Sequence, residues 1–139
     1  MAQSVRDVMT RNPLVRGSDT ILMEAATLMR DADVGDVLVE HDGQLCGLVT
    51  DRDIVVRAVA KGADPKTTYL GDICSHDLVT LSPKSSIRDA VELMRDRAVR
   101  RVPVVDNGTA VGIVTLGDLA MERDPDSVLA DISEAQPSN

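Results

Sequence analysis

Two short stretches of the chain hold side chains whose types and spacing suit a sugar phosphate. They are Thr50-Asp51-Arg52-Asp53 and Thr115-Leu116-Gly117-Asp118, each with a hydroxyl followed three residues later by a carboxylate. Each stands directly after a hydrophobic run, Gly47-Leu48-Val49 or Gly112-Ile113-Val114, where a strand gives way to a helix. A helix start offers unpaired N–H groups and the positive end of the helix dipole, and both favour phosphate. A threonine hydroxyl can donate to a phosphate oxygen, and an ionised carboxylate can accept two hydrogen bonds from a ribose diol. The same spacing also describes a capping box, in which the hydroxyl and the carboxylate close on main-chain N–H groups of the first turn. The sequence leaves both readings open.

The elements that position these groups are themselves duplicated. An offset of 65 residues, Thr50 to Thr115, aligns the chain with itself without gaps from about residue 5 to 54. Leu28-Met29-Arg30-Asp31 falls on Leu93-Met94-Arg95-Asp96, Val37 on Val102, Val39 on Val104, Gly43 on Gly108 and Gly47 on Gly112. Each unit opens with a short extended stretch, Leu14-Val15 or Val79-Thr80. A helix follows, with Ile21, Ala25, Leu28, Met29 and Ala32, or Ile87, Val91, Met94 and Ala98, on one face. Asp19 or Thr20, and Ser85 or Ser86, stand where N-caps are wanted. Met23, Met29 and Met94 read as core. Two strands then meet in a hairpin through Asp42-Gly43 or Asn107-Gly108, the dipeptides that tolerate positive φ at both turn positions. Gly47 and Gly112 interrupt the second strand and predict close approach of another backbone. A second helix, Asp53 to Ala60 or Asp118 to about Glu122, completes a β-α-β-β-α unit that occurs twice.

Composition narrows the function. The net charge is −8 and the only aromatic residue is one tyrosine, so neither the basic face nor the stacking platforms of a nucleic-acid binder are present. No run of 18 apolar residues suggests a membrane span, and Met1 to Thr10 does not read as a signal peptide. Cys46 and Cys74 do not make a disulfide framework, which points to a cytoplasmic protein with reduced thiols. No spacing joins His41, Cys46, Cys74 and His76 into a zinc pattern, and Cys46 reads as a small buried hydrophobe. There is no Ser-His-Asp arrangement, metal cage or glycine-rich phosphate loop. The expectation is a protein that is not an enzyme, with no catalytic residue, no metal and no required cofactor.

Residues 5 to 123 resemble the tandem CBS-domain, or Bateman, module. The resemblance rests on Asp7-Val8-Met9-Thr10, on Val99-Arg100-Arg101-Val102-Pro103-Val104-Val105-Asp106, and on the two Gly-hydrophobic-Val-Thr-x-x-Asp endings. It implies an α/β (α+β) fold in which two repeats, 5-62 and 70-123, pair by pseudo-twofold symmetry through their sheets. Residues 63-69 form the linker, and 124-139 form a short terminal helix with Val128, Leu129 and Ile132 on one face, then a tail. It also implies clefts between the repeats that take AMP, ADP, ATP or S-adenosylmethionine.

Carried over, Thr50, Asp53, Thr115 and Asp118 are sugar-phosphate residues, while Leu14, Val15, Val34, Val37, Val79, Thr80, Val99 and Val102 lie along the adenine, and Pro103 is a further ligand-binding position. The copies differ in their cations: Arg52 aligns with Gly117, and Arg100 and Arg101 align with Gly35 and Asp36. The two sites are therefore expected to bind unequally. The implied function is a regulatory ligand-binding module acting through a homodimer or an unknown protein partner. The alternative is a structural or interaction module with vestigial clefts.

Overall fold

The computed structural model describes residues 4–123. In chain order the regular elements are β1 (Thr10–Arg11), β2 (Val15–Gly17), α1 (Leu22–Ala32), β3 (Asp36–His41), β4 (Gln44–Thr50), α2 (Asp51–Asp53), α3 (Leu70–Ile73), α4 (Ile87–Arg97), β5 (Arg101–Asp106), β6 (Thr109–Thr115) and α5 (Leu116–Arg123). A 3-10 turn at Val5–Asp7 precedes β1, and α2 continues through a π turn at Ile54–Ala58 and a 3-10 turn at Val59–Lys61. The chain carries mixed helix and strand, with two three-stranded sheets ordered β2-β3-β4 and β1-β6-β5.

Both hairpins form as their turn residues predict. Asp42 and Gly43 sit at φ 52° and 77°, and Asn107 and Gly108 at 51° and 80°. Positive φ at both turn positions matches the twist of the flanking strands. Val37, Leu38 and Val39 in β3, and Val102, Pro103 and Val104 in β5, are fully buried or nearly so. The copies part at their first strand. Leu38 donates its N–H to Leu14 at 2.8 Å and helps to hold β2 in parallel against β3. Pro103, at the equivalent place, has no N–H to give. There the pairing shrinks to one bridge, Leu81 with Val104, and Val79-Thr80 forms no strand.

The chain forms two compact units that do not coincide with the sequence repeats. Among the described residues, one contains Leu14–Leu78; the other joins residues 4–13 to residues 79–123. The lead-in of each repeat thus packs with the other repeat's sheet. Leu70, Ile73 and Cys74 share a core with Leu22, Ala25, Met29, Val37, Val39 and Val49. Val5 shares the second core with Leu81, Ala90, Met94, Val102, Val104, Val114 and Leu119. The glycines in the second strands permit this approach. A Cβ on Gly47 would lie 2.7 Å from the Ser75 carbonyl oxygen, and one on Gly112 would lie 2.9 Å from that of Thr10.

Some helix details differ from the sequence reading. The N-cap of α1 is Ile21, not Asp19 or Thr20, and no side chain caps it. The linker does that work: the Thr68 and Pro65 carbonyls accept from the N–H groups of Leu22 and Met23 at 2.9 and 3.0 Å. Ser86 does cap α4, in a box with Asp89. Met29 and Met94 are core, but Met23 is 40% exposed, because Leu22 takes the inward position one residue earlier. Ala98 is the left-handed C-cap of α4 rather than part of its buried face. The terminal-helix residues Val128, Leu129 and Ile132 lie outside the described residues. No helix among the described residues is long and apolar enough to cross a membrane.

Candidate functional site

In the first unit, β4 ends at Thr50, whose extended backbone (φ −106°, ψ 164°) makes it the N-cap of α2. The Asp53 N–H donates to Thr50 Oγ1 at 3.1 Å, and the Thr50 N–H donates to Asp53 Oδ2 at 2.8 Å. The second unit repeats this closely. The Asp118 N–H reaches Thr115 Oγ1 at 3.1 Å, and the Thr115 N–H reaches Asp118 Oδ2 at 2.9 Å. Both pairs are therefore closed capping boxes. Each still has chemistry to offer. Each hydroxyl accepts from a main-chain N–H in its box, and the Thr115 hydroxyl also lies against the Asp118 carboxylate. Each carboxylate commits Oδ2 to its box, while Oδ1 lies outside it and in Asp53 faces Arg57.

The sheets bring the residues before each hairpin to the same corner. Asp36 pairs with Thr50, Val37 with Val49, and the Asp51 N–H donates to the Gly35 carbonyl at 3.0 Å. In the second unit Arg101 pairs with Thr115, Val102 with Val114, and the Leu116 N–H donates to the Arg100 carbonyl at 2.9 Å. Val34, Thr80 and Arg100 are exposed, while Leu14, Val15, Val79, Val99 and Arg101 are partly buried. The side chains of Val37 and Val102 lie fully inside the two cores. What those two positions can offer a ligand is main chain. Pro103 is likewise buried. Arg52 is exposed, with its N–H on Asp51 Oδ1 at 2.8 Å.

The two carboxylates sit in different fields. Asp53 Oδ1 lies 3.6 Å from Nε of Arg57, one turn along the helix, and Arg57 also donates to the Ile73 carbonyl at 3.2 Å. Glu122 stands where a second copy of Arg57 would be. Burial pushes the Asp118 carboxyl above the ordinary carboxylate range, and the two hydrogen bonds from Thr115 offset this only in part. The i, i+4 spacing of Arg57 from Asp53 is the signal in the sequence that marks this ion pair. A hollow of about 440 Å³ lies in the second unit, lined by Val91, Met94, Val99, Arg100, Leu116 and Leu119 among others. Val99 and Arg100 are among its lining residues; Thr115 and Asp118 are not. Among the described residues no group of three or more His, Cys, Asp or Glu side chains is arranged to hold a metal.

Comparison with known proteins agrees with this architecture. The family model described as CBS domain matches twice, at residues 5–59 and 70–125. The chain is 41% identical over 120 residues to the CBS domain-containing protein YhcV of Bacillus subtilis, covering 86% of this chain and 85% of that one. It is 36% identical over 118 residues to Hypoxic response protein 1 of Mycobacterium tuberculosis, covering 84% and 82%. A crystal structure of Hypoxic Response Protein I with two coordinated zinc ions superposes with a TM-score of 0.75 at 35% identity, over 88% of this chain and 99% of that one. The CBS domain pair of protein MJ0100, solved with 5′-methylthioadenosine and S-adenosyl-L-methionine, has the same fold. Its TM-score is 0.77 at 24% identity, over 89% of this chain and 98% of that one. Two matched domains, a duplicated fold and relatives of nearly the same length place the chain in the CBS domain family, as a tandem pair.

Proposed function

We propose that the chain is a regulatory module that binds an adenine nucleotide or a related adenosyl ligand, AMP, ADP, ATP or S-adenosylmethionine, at its strand-to-helix junctions. Tandem CBS domains are in general regulatory ligand-binding modules, and the MJ0100 pair holds two adenosyl compounds. The observation that carries the reading is the state of the two Thr-x-x-Asp pairs. Each box fixes its hydroxyl and carboxylate in place at the strand-to-helix junction, with the second carboxylate oxygen, Oδ1, outside the box. A phosphate would meet Thr115 and the start of α5, and a ribose diol would meet Asp118. Leu14 and Val15, with Val34 and Val37, would flank the base at the first junction; Val79, Thr80, Val99 and Val102 would do so at the second. Arg52 is the nearest cation by sequence at the first site, and Arg100 and Arg101 at the second.

The ligand carries information only through its differential affinity for two conformations. Output then passes by self-association, a homodimer in the simplest case, or to a separate protein partner. Val55, Val56 and Val59, exposed at 58%, 49% and 63% on the helix after Thr50, give the first unit an apolar stripe suited to such a contact. This module needs no catalytic residue and no cofactor, and its setting is cytoplasmic.

A second reading is an interaction module without a ligand. Its support is specific: the capping boxes account for both Thr-Asp pairs as helix starts. A thermal-shift panel with AMP, ADP, ATP, S-adenosylmethionine and NAD separates the two. A ligand at about 100 times its Kd adds roughly 2.7 kcal/mol, a rise of several degrees. A flat panel, with no nucleotide released on denaturing freshly purified protein, leaves the interaction reading standing and ends the first.

A further inference from the structure

A second cluster of reactive groups lies in the Leu14–Leu78 unit, away from the Thr50 and Asp53 pair. β4 does not face β3 residue for residue. Val39 pairs with Gly47 but Glu40 pairs with Leu45, so Cys46 is the extra residue of a β-bulge. At a bulge two consecutive residues oppose one partner residue, and the strict alternation of faces is lost. Cys46 accordingly packs against the core cluster that contains Cys74. Cys74, the C-cap of α3, is 4% exposed, and its sulfur would lie 2.7 Å from a Cβ on Gly47, the residue next to Cys46. Burial first, and the neighbouring Cys46 thiol second, hold the Cys74 thiol above the ordinary thiol range. The exposed His76 ring completes the group, with its nitrogens 3.6 and 3.7 Å from Cys74 Sγ.

The other unit shows that the fold does not require thiols here. Its bulge recurs, with Val104 facing Gly112 and Val105 facing Ala110, so Val111 is the extra residue. Val111 and Met9 pack on that core, with Met9 against Gly112. The scaffold thus builds this contact twice, once as an apolar pair and once as two thiols beside an imidazole.

We propose that Cys46 and Cys74 are a modification site: they form a reversible intramolecular disulfide by exchange with a small-molecule disulfide, with His76 as proton acceptor for Cys74. Cys46 is the more accessible thiol and reacts first. Its thiolate attacks one sulfur of the small disulfide, forming a mixed disulfide and releasing the first thiol. Cys74 then gives its proton to His76 and attacks Cys46 Sγ, and the second small thiol leaves with a proton. Two protein S–H groups and one small disulfide become one protein S–S bond and two small thiols, so atoms and electrons balance. The bond ties β4, four residues before Thr50, to the segment that follows α3. It is independent of the nucleotide reading.

The test uses the full chain, reduced and then held with excess oxidised glutathione, followed by alkylation and non-reducing mass spectrometry. The expected product is a monomer lighter by two hydrogens, unalkylated, with one cross-linked peptide pair joining Cys46 and Cys74. Cys74→Ser should stop at one glutathione on Cys46. Cys46→Val, which copies Val111, should leave Cys74 unmodified. His76→Gln should slow closure at least about tenfold and let the Cys46 adduct accumulate. The idea is overturned if the parent keeps two alkylatable thiols, stops at glutathione adducts or cross-links between chains. It is equally overturned if added zinc chloride is held at one ion per chain and blocks the exchange, which would make the cluster a metal site.

Discussion

Replacing Asp118 by asparagine and by alanine separates the two jobs assigned to its carboxylate. In the unliganded protein Asp118 Oδ2 accepts from the Thr115 N–H at 2.9 Å. Alanine leaves that N–H without its partner, which costs about 1–2 kcal/mol. At about 4 °C per kcal/mol for a chain of this length, the melting temperature should fall by roughly 4–8 °C. Asparagine keeps a side-chain carbonyl in the same place, and it removes a charge that burial already disfavours. Its unliganded melting temperature at neutral pH should match the parent or exceed it slightly. Ribose hydroxyls distinguish the variants differently. A hydrogen bond to an ionised acceptor contributes about 1.5–3 kcal/mol against about 0.5–1.5 for a neutral one. Asp118→Asn should therefore weaken an adenosyl ligand by about tenfold at the second junction while leaving the fold intact. Calorimetric titration gives the affinity, and scanning calorimetry without ligand gives the stability. If asparagine binds like the parent, the carboxylate does not hold a ribose. If asparagine destabilises as much as alanine, the box geometry is not what stabilises this helix start.

Two further outcomes follow from geometry and charge. Gly47→Ala puts a Cβ 2.7 Å from both the Cys74 sulfur and the Ser75 carbonyl oxygen, and should cost about 1–3 kcal/mol in urea unfolding; an unchanged midpoint would show that the strand and the lead-in segment are not in close contact. The pH dependence has a defined sign. Because the folded Asp118 has its pKa raised, the stability linked to its protonation is fully present below the unfolded value of about 3.9 and is lost as pH rises through the folded value. Compared with Asp118→Asn, the parent should lose ground as pH rises above about 4; a difference in urea midpoint that stays constant on the way up to neutral pH would contradict a raised pKa.

Much of the fold was legible because duplication wrote each signal twice. The Asp-Gly and Asn-Gly turns, the apolar runs and the interrupting glycines are local features, and all took the form their residue types dictate. What the sequence concealed depends on contacts distant along the chain. The cap of α1 comes from Pro65 and Thr68 carbonyls, and no inspection of residues 19–21 reveals that. The exchange of lead-in segments is equally silent, since Val5 and Leu70 are hydrophobic whichever sheet receives them. The bulge at Cys46 escaped notice because a one-residue register shift leaves the hydrophobic pattern of β4 nearly unchanged, and it is this shift that turns Cys46 toward Cys74. At the junctions the residues were legible and their partners only half so. The capping box and the sugar-phosphate pair share one spacing, and only the folded geometry shows that both boxes close.

The differences between the repeats are informative because the scaffold is held constant. At the first junction the helix supplies Arg57, which lies against Asp53 and is anchored on the Ile73 carbonyl. That carboxylate already faces a cation, so hydrogen bonds donated by a diol would gain less there. At the second junction the helix supplies Glu122 in the same place, and the cationic residues sit instead on the strand side, at Arg100 and Arg101. An anionic ligand lying along that corner would meet positive charge at one end and an electron-rich carboxylate at the other, the polarity that a phosphate joined to a ribose requires. Exposed surface charges exert these effects weakly, but Asp118 is buried enough for its pKa to rise, so the field around it is less screened. On the proposed reading, the junction after β6 would therefore be the better nucleotide site of the two, and the one after β4 would serve more as a structural helix start.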